Sequence, residues 1–220
     1  MPAILLEFGI GLMDTCERGQ NATYRATRYR DGLLIALLIS CPMRLKNLAG
    51  LVIGQHVVFD GHGYRLDLTA AETKTGRPYV AAVPHELTPY IDRWLQVYRP
   101  AVQSIARADG ELAGWVLASG SAARGNTMST SAIRSQIESR TRRAFGNGIW
   151  PHLFRDCSGT ELVDCAAEEI GITPDLLGHA DLQTTRRHYI QAQGMTAHRR
   201  VQDLIAARRR AAARDSARRS

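Results

Sequence analysis

Apolar residues recur at Ile4, Leu5, Phe8, Leu12 and Met13, a helical spacing that predicts a first helix over residues 4–17, weakened by two internal glycines. A polar loop over 18–23 separates it from a long, mostly apolar helix over 24–40, which Pro42 stops. Residues 44–50 form a short helical turn. The period then shortens. Residues 52–59 and 64–69 are rich in β-branched and aromatic side chains, and Asp60-Gly61-His62-Gly63 between them is a hairpin signal. Residues 79–83 are a third strand, entered through a tight turn at 73–78. Pro84 opens an amphipathic helix through Tyr98. The pattern is least legible over 101–125, where one strand is expected at 115–118. A capped helix follows at 129–144, closed by Gly146-Asn147-Gly148, and Pro151 starts another that runs to about Cys165. Pro174 starts a short helix ending at Gly178-His179, and helices over 182–191 and 195–210 complete the chain. The sum is an α+β fold, mostly helical, with one small antiparallel sheet inserted near the N-terminal third.

Composition narrows the class. With 220 residues, 45% hydrophobic and 22% charged, the chain can bury one good-sized core. Its longest apolar run, 32–43, is shorter than the ~18 residues a membrane helix needs. The N-terminus has no positive region ahead of its apolar residues and carries Glu7 early, so no secretory signal is read there. An intracellular, cytoplasmic protein is expected. Cys16, Cys41, Cys157 and Cys165 show no C-x-x-C pairing and no metal-ligand spacing, so neither a structural disulfide nor a zinc site is expected, and no cofactor is assigned.

The net charge of +7 is concentrated. From Arg199 to Ser220 there are eight arginines against Asp203 and Asp215, a net +6, which leaves +1 for the remaining residues. The boundary is placed at 207, with 208–220 a disordered basic Ala/Arg tail. Lys46 and Lys74 are the two lysines among 28 basic residues. Arg keeps its proton near neutral pH and Lys can release it, so a lysine retained in such an arginine-rich chain hints at a use for that difference.

Six residues stand out as chemistry. His152 and Arg155 are three apart in a helix and share a face. His179 follows Gly178 at a helix end, where a cap is the plainer reading. Tyr189 alone would be read as core. Together with Arg44 and Lys74 they form two guanidinium groups, a lysine, two imidazoles and a phenol.

In order and spacing, these motifs resemble the tyrosine recombinase (phage-type integrase) family over about residues 1–207. The first arginine lies in Cys41-Pro42-Met43-Arg44-Leu45, after a long apolar helix. The lysine lies in Glu72-Thr73-Lys74-Thr75-Gly76-Arg77-Pro78, a hairpin turn leading to Val83-Pro84. The H-x-x-R box is His152-Leu153-Phe154-Arg155, the Leu-Gly-His turn is Leu177-Gly178-His179, and the terminal helix carries Thr184-Thr185 through Tyr189. Asn47 stands where the family often has Glu, Asp156 where it often has His, and the ten-residue gap from His179 to Tyr189 is one longer than usual. The helical core-binding domain that normally precedes the catalytic one has no room ahead of Arg44.

The resemblance implies a site-specific recombinase or integrase catalytic domain acting on double-stranded DNA through a 3′-phosphotyrosyl intermediate, without metal or ATP. It assigns Tyr189 as nucleophile and Arg44, Arg155 and His179 as donors to the phosphate oxygens. His152 would be proton acceptor or orienting group, and Lys74 the proton donor to the leaving oxygen. Expected partners are double-stranded DNA, a homo-tetramer exchanging its C-terminal helix (195–210), and accessory DNA-bending proteins, with no membrane. A mobile-element remnant that binds DNA weakly and a type IB topoisomerase-like relaxing enzyme are the alternatives.

Overall fold

A computed structural model describes residues 2–19, 21–105, 114–115, 127–154, 157 and 198–210. Among them the chain is mostly helical, with one three-stranded antiparallel sheet, so the expected fold class holds. Helix α1 (Pro2–Asp14) lies against α2 (Ala22–Ser40), which starts on Asn21, whose side chain accepts the Tyr24 amide. Residues 33–40 of α2 are all buried, which makes it the central helix of the core rather than an amphipathic surface helix.

The two glycines that weaken α1 as an isolated helix do not act alike. A Cβ on Gly9 would lie 2.8 Å from the Gly32 carbonyl oxygen, and one on Gly32 would lie 2.5 Å from that of Gly9. The backbones of α1 and α2 therefore touch at this crossing, and only glycine fits there. Gly11 has nothing within 4 Å of its missing Cβ.

Helix α3 (Leu45–Ala49) leads to the sheet. Residues 52–59 do not form one strand: Gly54 adopts a left-handed conformation (φ +80°), and only Val57–Phe59 is β1. Val52 and Ile53 instead make isolated bridges, to Gly114 and Val57. β1 pairs with β2 (Tyr64–Leu68), and β2 with β3 (Tyr79–Ala82), in the order β1-β2-β3. The hairpin closes as its sequence requires. The Asp60 carboxylate accepts the His62 and Gly63 amides, the Asp60 amide donates to the Gly63 carbonyl, and Gly61 takes φ +93°.

The helix expected to end at Tyr98 continues. After a 3₁₀ turn (His85–Leu87), α4 (Thr88–Arg93) passes through a π-helical turn (Trp94–Tyr98) into α5 (Arg99–Ile105). Pro100 lacks the amide and crowds the carbonyl four residues back, and widening the preceding turn lets the helix pass it. Of the strand expected at 115–118 only Trp115 is described, in a bend next to the isolated bridge of Gly114 to Val52, and 116–118 lie outside the described residues. The Trp115 amide donates to the Leu51 carbonyl, and the Arg99 guanidinium donates to the Gly114 carbonyl.

Helix α6 (Thr130–Phe145) begins on Ser129, which accepts the Ala132 amide, and ends on left-handed Gly146. It meets α2 through charge. Asp31, fully buried, accepts from Arg30 at 2.8 Å and from Arg140 at 2.9 Å.

Residues 198–210 form the last described helix, and it docks on its own chain. Val201 and Ile205 enter the core, Gln202 donates to the Ala82 carbonyl at the end of β3, and Arg209 bridges Glu7 and Glu86. The helix runs through 208–210, residues assigned from sequence to the tail. The helices expected at 174–178 and 182–191 lie outside the described residues.

Candidate active site

Arg44 sits at the start of α3. The Met43 side chain and Pro42 before it are buried, and the Arg44 carbonyl accepts the Asn47 and Leu48 amides that begin the helix. Cys41 ties this turn to the sheet by donating to the Ala82 carbonyl at 3.6 Å. Burial on one side of the turn turns the Arg44 side chain outward, where it is half-exposed.

Lys74 lies exposed in the β2–β3 connection. That connection is organised by Thr69, which caps a 3₁₀ turn (Ala70–Glu72) in a reciprocal box with Glu72. On the far side, the Thr73 hydroxyl donates to the Arg77 carbonyl at 2.6 Å, and Gly76 takes φ +67°. Glu72 Oε1 accepts from His56 Nε2 at 2.8 Å. Three hydrogen bonds, from the Thr69 hydroxyl, the Thr69 amide and His56, hold the Glu72 carboxyl down at about 2, so it is ionised across the neutral range.

His152 is presented by a different device. The buried Thr141 hydroxyl accepts the Ile149 amide at 2.8 Å and donates to the Ile137 carbonyl, which fixes the chain leaving α6. Trp150 lies under the Arg134 guanidinium at 4.1 Å, and the His152 ring meets its edge at 5.7 Å. Pro151 and Phe154 are buried, so His152 and Leu153 face outward.

Three candidate positions are thus held on three separate elements, each anchored by buried neighbours and each open to solvent. No hydrogen bond or ion pair among the described residues joins Arg44, Lys74 and His152 to one another. None among the described residues pairs Arg44 or Lys74 with a carboxylate. Arg30 and Arg140, by contrast, are neutralised by Asp31, and Arg209 by Glu7 and Glu86. Arg155, His179 and Tyr189 lie outside the described residues.

The chain matches the phage integrase family over residues 11–195, from within α1 to just before the last helix. It belongs to that family. Curated relatives include the tyrosine recombinase XerC of Alcanivorax borkumensis, 28% identical over 163 residues, which cover 71% of this chain and 46% of that protein. XerC of Pseudomonas entomophila is 27% identical over 157 residues, 71% of this chain and 46% of the relative. XerC of Pseudomonas fluorescens (strain Pf-5) is 25% identical over 158 residues, 72% and 47%. The chain therefore spans about half the length of the curated relatives it matches. No solved structure matches it. The integrase match encloses all six candidate positions. No helix among the described residues is long and apolar enough to cross a membrane.

His56, Glu72 and Thr141 were not among the candidate residues expected from sequence. Thr69-x-x-Glu72 is a legible capping signature, and it stands directly ahead of Lys74. His56 gave no signal, because its partner comes from a turn sixteen residues on.

Proposed function

We propose that this phage integrase family member cleaves and rejoins double-stranded DNA through a 3′-phosphotyrosyl bond to Tyr189. The observation that carries the reading is that Arg44 and Lys74 keep their charges free of any carboxylate among the described residues, inside a segment matched by the integrase family. Cations meant for a phosphate have to be kept from internal partners.

A phosphodiester attacked by a phenol gains negative charge on its non-bridging oxygens in a five-coordinate state. Arg44 and Arg155 supply bidentate, permanently charged donors to those oxygens, and His179 adds a further hydrogen bond. Tyr189 is a weak nucleophile until its proton is drawn off, with an ordinary pKa of about 10. His152 accepts or directs that proton. As the Tyr189 oxygen bonds to phosphorus, the bond to the 5′-oxygen breaks, and Lys74 gives that oxygen its proton. The phosphotyrosine conserves the bond energy, so rejoining needs no ATP, and fixed cations do the work of a metal ion.

The relatives' printed name, tyrosine recombinase, favours two-site exchange over simple relaxation. A tetramer on two DNA sites, with the last helix passed to a neighbour and accessory proteins bending the DNA, follows from the same reading. In the single chain that helix docks on its own sheet and α1, so exchange requires its release. The test is incubation of the full-length protein with a pool of nicked, randomised duplexes, followed by denaturation and recovery of protein-linked DNA. The selected duplex placed twice in one plasmid then separates recombination from relaxation. Adduct formation that survives EDTA is expected; adduct formation abolished by EDTA contradicts the metal-free step.

A further inference from the structure

We propose that His56 and Glu72 are positioning residues for Lys74, holding its turn where the lysine meets the leaving oxygen; this rests on the function proposed above. The geometry is specific. The Val52 amide donates to His56 Nδ1 at 3.0 Å, so that nitrogen carries no proton and Nε2 must. Nε2–H is thereby aimed at Glu72 Oε1, at 2.8 Å. The other oxygen, Oε2, accepts the Thr69 amide at 2.8 Å and the Thr69 hydroxyl at 2.7 Å. The His56 ring itself is buried, and its backbone is fixed by the Asp67 amide donating to its carbonyl.

A capping box alone would satisfy the 3₁₀ turn. The second oxygen of Glu72 reaches past it, to a buried ring on the lead-in to β1, and fastens an exposed turn to the interior two residues before Lys74. Thr73, bonded to the Ala70 and Arg77 carbonyls, secures the next residue. Lys74 has a flexible four-carbon stem and no described partner, so its reach depends on where the backbone at its base is held.

Transfer of the Lys74 proton accompanies rupture of the bond between phosphorus and the 5′-oxygen. A duplex with sulfur in place of that oxygen removes the need for the proton, because a thiolate leaves unprotonated. The experiment measures single-turnover adduct formation by the full-length protein on the selected duplex in its oxygen and sulfur forms. Parent, K74A, E72A and H56A are compared. H56A removes a buried ring, so the ratio of the two rates, which does not depend on the folded fraction, is read for every variant. E72A is expected to be slower on the oxygen duplex by roughly 10- to 100-fold, the scale of a misplaced catalytic group. On the sulfur duplex it should return to within about threefold of the parent, in parallel with K74A. Equal slowing of E72A on both duplexes, or no slowing on either, overturns the inference while K74A rescue leaves the assignment of Lys74 standing. Failure of K74A itself to be rescued overturns that assignment, and the inference with it.

Discussion

Asp31 shows how much a single residue can hold in this chain. It is fully buried, accepting from Arg30 through Oδ1 and from Arg140 through Oδ2. Removing it takes the shared carboxylate away from two buried guanidinium groups. Asp31→Ala is expected to destabilise the protein by about 3–5 kcal/mol in urea unfolding, as breaking a buried pair does. A loss under ~1 kcal/mol, the size of a surface pair, would show that the triad is solvated. His198 makes a second case. Its ring is buried against the edge of Tyr79 at 5.2 Å, with neither nitrogen hydrogen-bonded among the described residues. Burial pushes its pKa down to about 4. The unfolded chain therefore binds a proton that the folded chain refuses, and stability is complete above about 6.5, the ordinary value. It falls as the pH drops from there towards 4, by on the order of 3 kcal/mol at most. His198→Leu should flatten thermal stability across that window. A variant that loses as much stability as the parent between pH 6.5 and 4 would assign the acid sensitivity elsewhere.

At the scale of elements, the crossing of α1 and α2 separates two glycines that look equivalent in sequence. Gly9→Ala or Gly32→Ala drives a methyl into the facing backbone and should cost ~1–3 kcal/mol, the range for overpacking. Gly11→Ala meets nothing and should stabilise α1 by about 0.5–1 kcal/mol. Urea denaturation of the three variants checks both signs; equal effects at positions 9 and 11 would contradict the close approach. The same contrast marks what could be read from sequence. The helices expected over 24–40 and, with its serine cap, 129–144 were legible because local signals agree with tertiary packing; the first starts two residues earlier than expected, because Asn21 caps it. The hairpin at Asp60-Gly61-His62-Gly63 was legible for the same reason. The shortening of β1 was not, because Gly54 spoils a β-branched run at one residue. The passage of the 84–105 helix through Pro100 was hidden too: a π-turn repairs what a proline rule says should end. Of the candidate site, the cationic residues were legible as motifs. The Thr69-x-x-Glu72 box beside Lys74 was legible too, but the Glu72 bond to His56 and the Thr141 bond to Ile149 join residues that no local spacing links.

Across the whole molecule, the core is built around α2, and the described candidate residues lie on three elements: Arg44 at the start of α3, Lys74 in the β2–β3 connection and His152 in the helical segment after α6. The basic charge is not spread over the body. Residues 199–220 carry a net +6 of the total +7. The last helix spends part of that charge on Glu7 and Glu86 through Arg209. DNA affinity should therefore fall steeply with salt, through phosphate contacts that release counterions. A chain lacking residues 211–220 should bind duplex DNA more weakly and with a shallower salt slope, read by anisotropy titration across salt concentrations. An unchanged slope would place the phosphate contacts on the body alone.

The central claim is the covalent bond to Tyr189. Full-length protein and its Tyr189→Phe variant are incubated with the selected nicked duplex, denatured, digested and mapped by mass spectrometry. The account predicts a nucleotide-bearing peptide at Tyr189 in the parent, and none in the variant, which should still bind the duplex. An adduct that persists in Tyr189→Phe, or that maps to another residue of the parent, would contradict it.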